Sequence, residues 1–224
     1  MIVGDLKPFD ELAGSLAGFE RVLVLGCGGC VTVCRAGGDA EAHDVARELA
    51  HPRWFPRSEP PLFEVRTIER QCEHDLLRAF LPLPDGTQAI LSLACGAGVQ
   101  IVADVFEPLP VLPALSTTFL GGADEPGIWR EKCKGCGDCL LATTGGVCPI
   151  ALCAKSLLNG PCGGSHDGHC ELGPDIPCAW VRVYRRLEAQ GRLELLDEVR
   201  GTRDWRKAGY RGPRRRARTG IALR

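Results

Sequence analysis

The chain has 224 residues, a formal net charge of −1 and a hydrophobic fraction of 45%, enough apolar material for one ordinary domain and a smaller second one. The balanced charge implies no global polyanion partner, and no run of about 18 apolar residues is present to span a bilayer. What stands out is thirteen cysteines, eight of them between Cys133 and Cys178.

The start, MIVGDLKPFDELAG, carries acids and a proline where a secretory signal needs a basic start and an apolar core. The expectation is a cytoplasmic protein. In a reducing compartment disulfides are disfavoured, and an odd count leaves one thiol unpaired in any case. Metal or cluster ligation is therefore the better account of the cysteines.

Phe19 to Gly26 reads as a short buried strand ending at a glycine. A turn rich in Gly and Cys follows, from Cys27 through Cys30 and Cys34 to Gly38. Asp39 is placed to cap a helix over about 40–50, which ends before Pro52. The proline-rich segment 51–61 reads as a surface loop. Leu62 to Arg70 alternates apolar and polar residues, the period of a strand, with Cys72 just past its end and a helical stretch over 73–80. Pro84 to Thr87 is a turn signal. Gln88 to Ala94 is a third strand, followed by Cys95, a Gly-Ala-Gly turn and a helix over 99–106. A fourth strand is expected over 111–119. Strands alternating with helices at this pitch predict α/β architecture with a small, parallel, Rossmann-like sheet.

From Ile128 regular periodicity fades and Gly and Cys dominate, which predicts a loop-rich module stapled by metal. Pro177 is placed to open a closing helix whose Trp180, Val183, Tyr184 and Leu187 make one apolar face. Three regions result: an α/β domain over 1–127 with a cysteine-lined sheet edge, a ferredoxin-like cluster module with its closing helix over 128–200, and a basic tail over 201–224. The tail carries many arginines against one acid, Asp204. With only Trp205 and Tyr210 as aromatics, it reads as a solvated or partner-docking segment rather than a nucleic-acid contact.

Ligands of open parallel sheets gather outside the carboxyl ends of the strands. Cys27, Cys72 and Cys95 each stand just past such an end, and Cys30 and Cys34 share a helical face with Cys27 if 28–36 is helical. A cubane cluster or a tetrahedral zinc needs four thiolates. Cys27, Cys30, Cys34 and Cys95 are the expected set, with Cys72 in reserve. A dinucleotide site is the rival, since Gly26-x-Gly28 opens like a Rossmann fingerprint. The third glycine is replaced by Val31, however, and Arg70 ends the second strand where a ribose would need an acid.

In the second set, Cys133-x2-Cys136-x2-Cys139 followed by Cys148-Pro149 is close to the run that binds a [4Fe–4S] cluster. Cys148 joins Cys153, Cys162, Cys170 and Cys178 as candidates for a further centre. Zinc is the alternative occupant, because spacing does not separate it from iron–sulfur. His166 and His169 could replace a thiolate, but lone histidines in a Gly-Ser loop are more often solvated. No Ser nucleophile elbow, HExxH or phosphate-loop lysine is present.

The stretches GCGGCVTVCRAGG, SLACGAGVQ, CKGCGDCLL, GGVCPIALCAKSLLNGPCGG and CAWVRVYRRLEAQGRL together resemble the MetV-type family, the methylenetetrahydrofolate reductase C-terminal domain. The resemblance covers the chain up to about Leu196. It implies an accessory subunit carrying two or more [4Fe–4S] clusters, with zinc as a further metal, and assigns Cys27, Cys30, Cys34 and Cys95 to one cluster and the later cysteines to the others. It also implies a flavin-containing methylenetetrahydrofolate reductase subunit as partner, with further electron-transfer subunits in the same complex. A reductase barrel needs roughly 250 residues, so FMN and folate are expected on that partner.

Overall fold

The computed structural model describes residues 1–208. The chain divides into two compact units, Met1–Arg130 and Glu131–Arg224.

The first unit is built on β1 (Ile2–Leu6), α1 (Phe9–Leu16), β2 (Arg21–Cys27), α2 (Cys30–Val33), α3 (Asp39–Leu49), β3 (Leu62–Ile68), α4 (His74–Ala79), β4 (Ala89–Ser92), α5 (Gly96–Val105), β5 (Val111–Pro113) and β6 (Leu115–Glu125). Strands β2 to β5 form a four-stranded sheet in the order β3-β2-β4-β5, and every pair is parallel. The central strands are continuous apolar runs because both their faces are covered. Val22, Val24, Ala89 and Leu91 pack with Leu12 and Leu16 of α1 and Ala42, Val45 and Leu49 of α3. Leu23, Leu25 and Ile90 pack on the other face with Leu77 of α4 and Val102 of α5. Edge strand β3 keeps an alternating burial pattern, as its alternating sequence requires.

The expected fourth strand over 111–119 is two strands in two sheets. Ala114 explains the break. It is fully buried, donates its N–H to the Ser92 carbonyl in the parallel sheet at 2.9 Å, and accepts from Lys7 N at 3.0 Å. The chain thereby leaves β5 and continues as β6, antiparallel to β1. With β7 (Ile128–Cys133), these make a three-stranded sheet in the order β1-β6-β7. This sheet was not foreseen, because Ile2–Leu6 is too short to carry a periodic signal of its own.

Helix α3 begins one residue earlier than expected, at Asp39 itself. Gly38 is the cap, its N–H held by the Glu41 carboxylate at 2.9 Å, while Asp39 instead accepts from the Thr67 hydroxyl at 2.7 Å.

The second unit has α6 (Pro149–Leu152), β8 (His169–Cys170), β9 (Gly173–Pro177) and α7 (Ala179–Ala189), with 3-10 turns at Leu141–Thr143, Leu193–Leu196 and Trp205–Ala208. The closing helix starts later than expected. Pro177 ends β9, paired with His169, and Cys178 is the helix cap. Trp180, Val183 and Leu187 bury themselves with Val147. Tyr184, expected on the same face, is instead exposed.

The segment Leu157 to Asn159 is held by side-chain bonds. The Trp180 indole donates to Leu157 O at 3.1 Å. Asn159 exchanges two hydrogen bonds with the Arg200 backbone, at 2.8 and 2.9 Å. No helix among the described residues is long and apolar enough to cross a membrane. The tail beyond residue 208 lies outside the described residues.

Candidate metal centre

In a parallel sheet of this order, the strand connections reverse direction between β2 and β4. The crevice beyond their carboxyl ends is the natural place for a ligand. Cys27 is the last residue of β2, and Cys95 caps the helix that follows β4. Between them lies the loop after β3, with Cys72.

That loop is pinned by Gln71, which is fully buried. Its amide donates to Leu25 O at 2.8 Å and accepts from the Ser92 hydroxyl at 2.6 Å, tying the loop to both central strands. Close packing fixes it further: a Cβ on Gly98 would stand 3.2 Å from the Gln71 Cβ and 2.7 Å from that of Ala94. Gln71 therefore fills the floor of the crevice and sets Cys72 at its rim. Burial, and then the charges that Cys27 and Cys95 would carry, push the Cys72 thiol above its usual range.

The Cys27 turn is closed by main-chain bonds, Cys27 N to Gly37 O at 2.8 Å and Gly28 N to Ile68 O at 2.8 Å. Gly37 is indispensable to that closure, since a Cβ there would stand 2.1 Å from Leu93 O. Cys30 opens the four-residue helix α2, half-buried. Cys34 behaves differently. It ends α2, is buried, and turns its thiol to the carbonyls of Val31 (3.5 Å) and Ile2 (3.9 Å). The structure thus sets Cys27, Cys72 and Cys95 on the loops at the carboxyl ends of β2, β3 and β4, while Cys34 packs beside β1.

In the second unit, the Cys133–Cys139 loop carries alternate left-handed glycines, Gly135 at φ 61° and Gly137 at φ 76°. Such a conformation turns successive N–H groups to one side and makes a concavity for an anion, a feature of many iron–sulfur sites. Here the Gly135 N–H donates to the Cys133 sulfur at 3.3 Å. Cys136 is half-buried, while Cys133 and Cys139 are exposed. Cys148 and Cys153 cap the two ends of α6.

Four of the remaining thiols share one place. Cys153, Cys162, Cys170 and Cys178 line a narrow cavity of about 20 Å³ with Lys155 and Trp180, room for one water-sized occupant. Lys155 is paired with Glu171, and that bond raises its pKa, with Cys162 adding to the effect. His166 and His169 are exposed.

All thirteen cysteines are free thiols. Among the described residues, no three His, Cys, Asp or Glu side chains stand already arranged around a metal position. The donor sets nevertheless suit thiophilic metals, being thiols served by backbone N–H groups and cations rather than by carboxylates. Two residues that sequence reasoning passed over belong to these sites. One is Gln71. The other is Arg203, whose Nη2 lies 2.7 Å from the Cys136 sulfur. Neither sits in a motif, and a buried glutamine or arginine has no sequence signature.

No match was found among curated proteins or among solved structures. Residues 112–206 do match a family model, described as the methylene-tetrahydrofolate reductase C terminal. The matched stretch runs from β5 through every cysteine of the second unit and includes Arg203. Over these residues, the chain is similar to the methylene-tetrahydrofolate reductase C-terminal family.

Proposed function

We propose that this chain is an iron–sulfur accessory subunit that passes electrons within a methylenetetrahydrofolate reductase complex. Its partner in this reading is a flavin-containing reductase subunit, which holds FMN and folate. The observation that carries the reading is the Cys133–Cys139 loop: three thiols within seven residues, left-handed glycines between them, and a backbone N–H already on one sulfur. The family match supports the assignment to a methylenetetrahydrofolate reductase.

An iron–sulfur cluster bound there would supply one-electron transfer. The chain's own part is to hold and poise it. Cys133, Cys136 and Cys139 are the ligands proposed on the loop, with Cys148 as the fourth. Gly135 and Gly137 turn backbone donors towards the anionic sulfurs. In the first unit Cys27, Cys72 and Cys95, with Cys30, are the thiols proposed for a further centre, and Gln71 holds the loop that carries Cys72.

The narrow cavity favours a different occupant in one place. With room for one ion and four cysteines in its wall, the Cys153, Cys162, Cys170 and Cys178 set fits a single tetrahedral zinc better than a cubane. A structural zinc there and an electron-transfer centre on the Cys133 loop are compatible. If zinc filled every site, the chain would be a docking module without redox chemistry.

Anaerobic purification followed by iron, sulfide and zinc analysis tests both. The expected protein is brown, contains iron and sulfide together with about one zinc per chain, and gives an EPR signal on reduction with dithionite. A colourless protein with zinc and no iron overturns the electron-transfer reading and leaves the docking module.

A further inference from the structure

Arg203 lies in the stretch that sequence composition marks as a solvated basic tail, yet it is only 8% exposed. Burying a guanidinium is costly unless an anion pairs with it. Among the described residues no carboxylate lies within ion-pairing distance of Arg203. The neighbouring Asp204 and the loop's Asp138 are engaged elsewhere. Asp204 holds Arg206 through two bonds of 2.6 and 2.8 Å, and the Asp138 carboxylate faces Lys207 at 3.2 Å.

What Arg203 does touch is the cysteine loop. Nη2 donates to the Cys136 sulfur at 2.7 Å and to Asp138 O at 2.6 Å. The guanidinium carbon sits 5.2 Å from the centre of the Trp205 ring, which covers it. Its Nε is buried with no acceptor among the described residues. A neutral thiol and a carbonyl do not compensate a buried cation, and a buried donor without a partner has to be explained. A metal–thiolate group on this loop accounts for both, because its sulfurs carry the missing negative charge.

We propose that Arg203 is the counter-cation and positioning residue of the metal centre held by Cys133, Cys136 and Cys139. This rests on the reading of the loop as a metal site. An N–H bond from a cation withdraws charge from a ligand sulfur, so it favours the more negative, reduced form of a cluster and slows departure of the metal. Arg203 thus poises the centre as well as retaining it.

The test uses the full chain, purified anaerobically as wild type, Arg203→Gln and Arg203→Lys. Cys136→Ser identifies which spectral component belongs to the loop. Metal content, the rate of metal loss to a chelator, the midpoint potential from EPR-monitored titration and the thermal midpoint are measured on each.

Arg203→Gln is expected to lose the loop's metal at least tenfold faster. It should also disfavour the reduced state about tenfold, a midpoint lower by about 59 mV for one electron. Arg203→Lys keeps the charge and is expected to recover most of the potential and less of the retention, since an ammonium lacks the planar fork. It also keeps the test open if Arg203→Gln does not fold. A purely structural role would lower the thermal midpoint of both variants and leave the potential unmoved; that result overturns the proposal, as do release rates within twofold of wild type.

The two readings fail separately. Wild type with zinc in place of iron on the loop overturns electron transfer, and the release rates then decide the role of Arg203 alone. A loop without metal in the wild type overturns both.

Discussion

The two units place their thiols by opposite means. In the first, β2 and β4 are buried on both faces, and two apolar clusters hold them between helices. Cys27, Cys72 and Cys95 reach one crevice because a sheet with its own core ends there. In the second unit, the chain from Cys133 to Cys170 contains one four-residue helix, and the cluster of buried side chains is Val147, Trp180, Val183 and Leu187. So little apolar burial does not offset the entropy of ordering that many loop residues. In the proposed reading, the first unit can build its site before a metal arrives, whereas the second would depend on the metal for much of its stability.

Metal removal is the strongest way to break this comparison. Structural zinc contributes about 10–16 kcal/mol to the folding of small zinc-held peptides, far more than any one side chain here. Chelation under reducing conditions is expected to expose the amides of residues 133–178 to hydrogen exchange while those of β2 and β4 stay protected. Equal protection in both units after chelation would end the distinction.

Core truncation sharpens it. Leu25→Ala, in a fully buried position of β2, is expected to cost about 2–5 kcal/mol, equally with and without metal. Leu187→Ala, also fully buried, should be tolerated in the metal-loaded protein and should unfold the second unit once metal is removed. Denaturant titration of both variants, with and without chelator, checks this.

A smaller effect is expected at Gln71. Gln71→Leu strands the Ser92 hydroxyl, at about 1–3 kcal/mol for a buried polar group left unpaired, while the Leu25 carbonyl keeps its bond from Leu93 N at 2.9 Å. The substitution also frees the Cys72 loop. In metal-free protein, alkylation of Cys72 followed by mass spectrometry should speed up severalfold, with Cys34 unaffected. An unchanged Cys72 rate would show that Gln71 does not position it.

The smallest effect belongs to Asp204. Its contact with Arg206 holds the carboxyl down at about 2, against an ordinary value of 3.8. A lowered pKa favours the folded state above the unfolded value, and that contribution is lost as pH falls from about 4 through 2. The pair is fully solvated, however, so screening removes most of its worth. Asp204→Asn is expected to leave the thermal midpoint at pH 7 within a degree or so.

The central strands, the helices between them and all thirteen candidate ligands can be read from the sequence, since apolar runs, turn glycines and cysteine spacing are local signals. The split of 111–119 at Ala114 could not be read. Both halves are extended and apolar, and only the two backbone partners of Ala114, Ser92 and Lys7, show that they belong to different sheets. The expected face of α7 was too wide for a related reason: periodicity marks Tyr184 as facing inwards, but how many positions are covered depends on what packs there.

By itself, then, the sequence determined that this is a thiol-rich α/β chain with a ferredoxin-like loop and a family resemblance to match. Only the tertiary structure decided which groups meet. It tied the Cys72 loop to β2 and β4 through the buried amide of Gln71, turned Cys34 to the Val31 and Ile2 carbonyls, and brought Arg203 onto the Cys136 sulfur. The physical reason is separation along the chain. Cys136 and Arg203 are 67 residues apart, and no local propensity encodes a contact between groups so far separated along the chain.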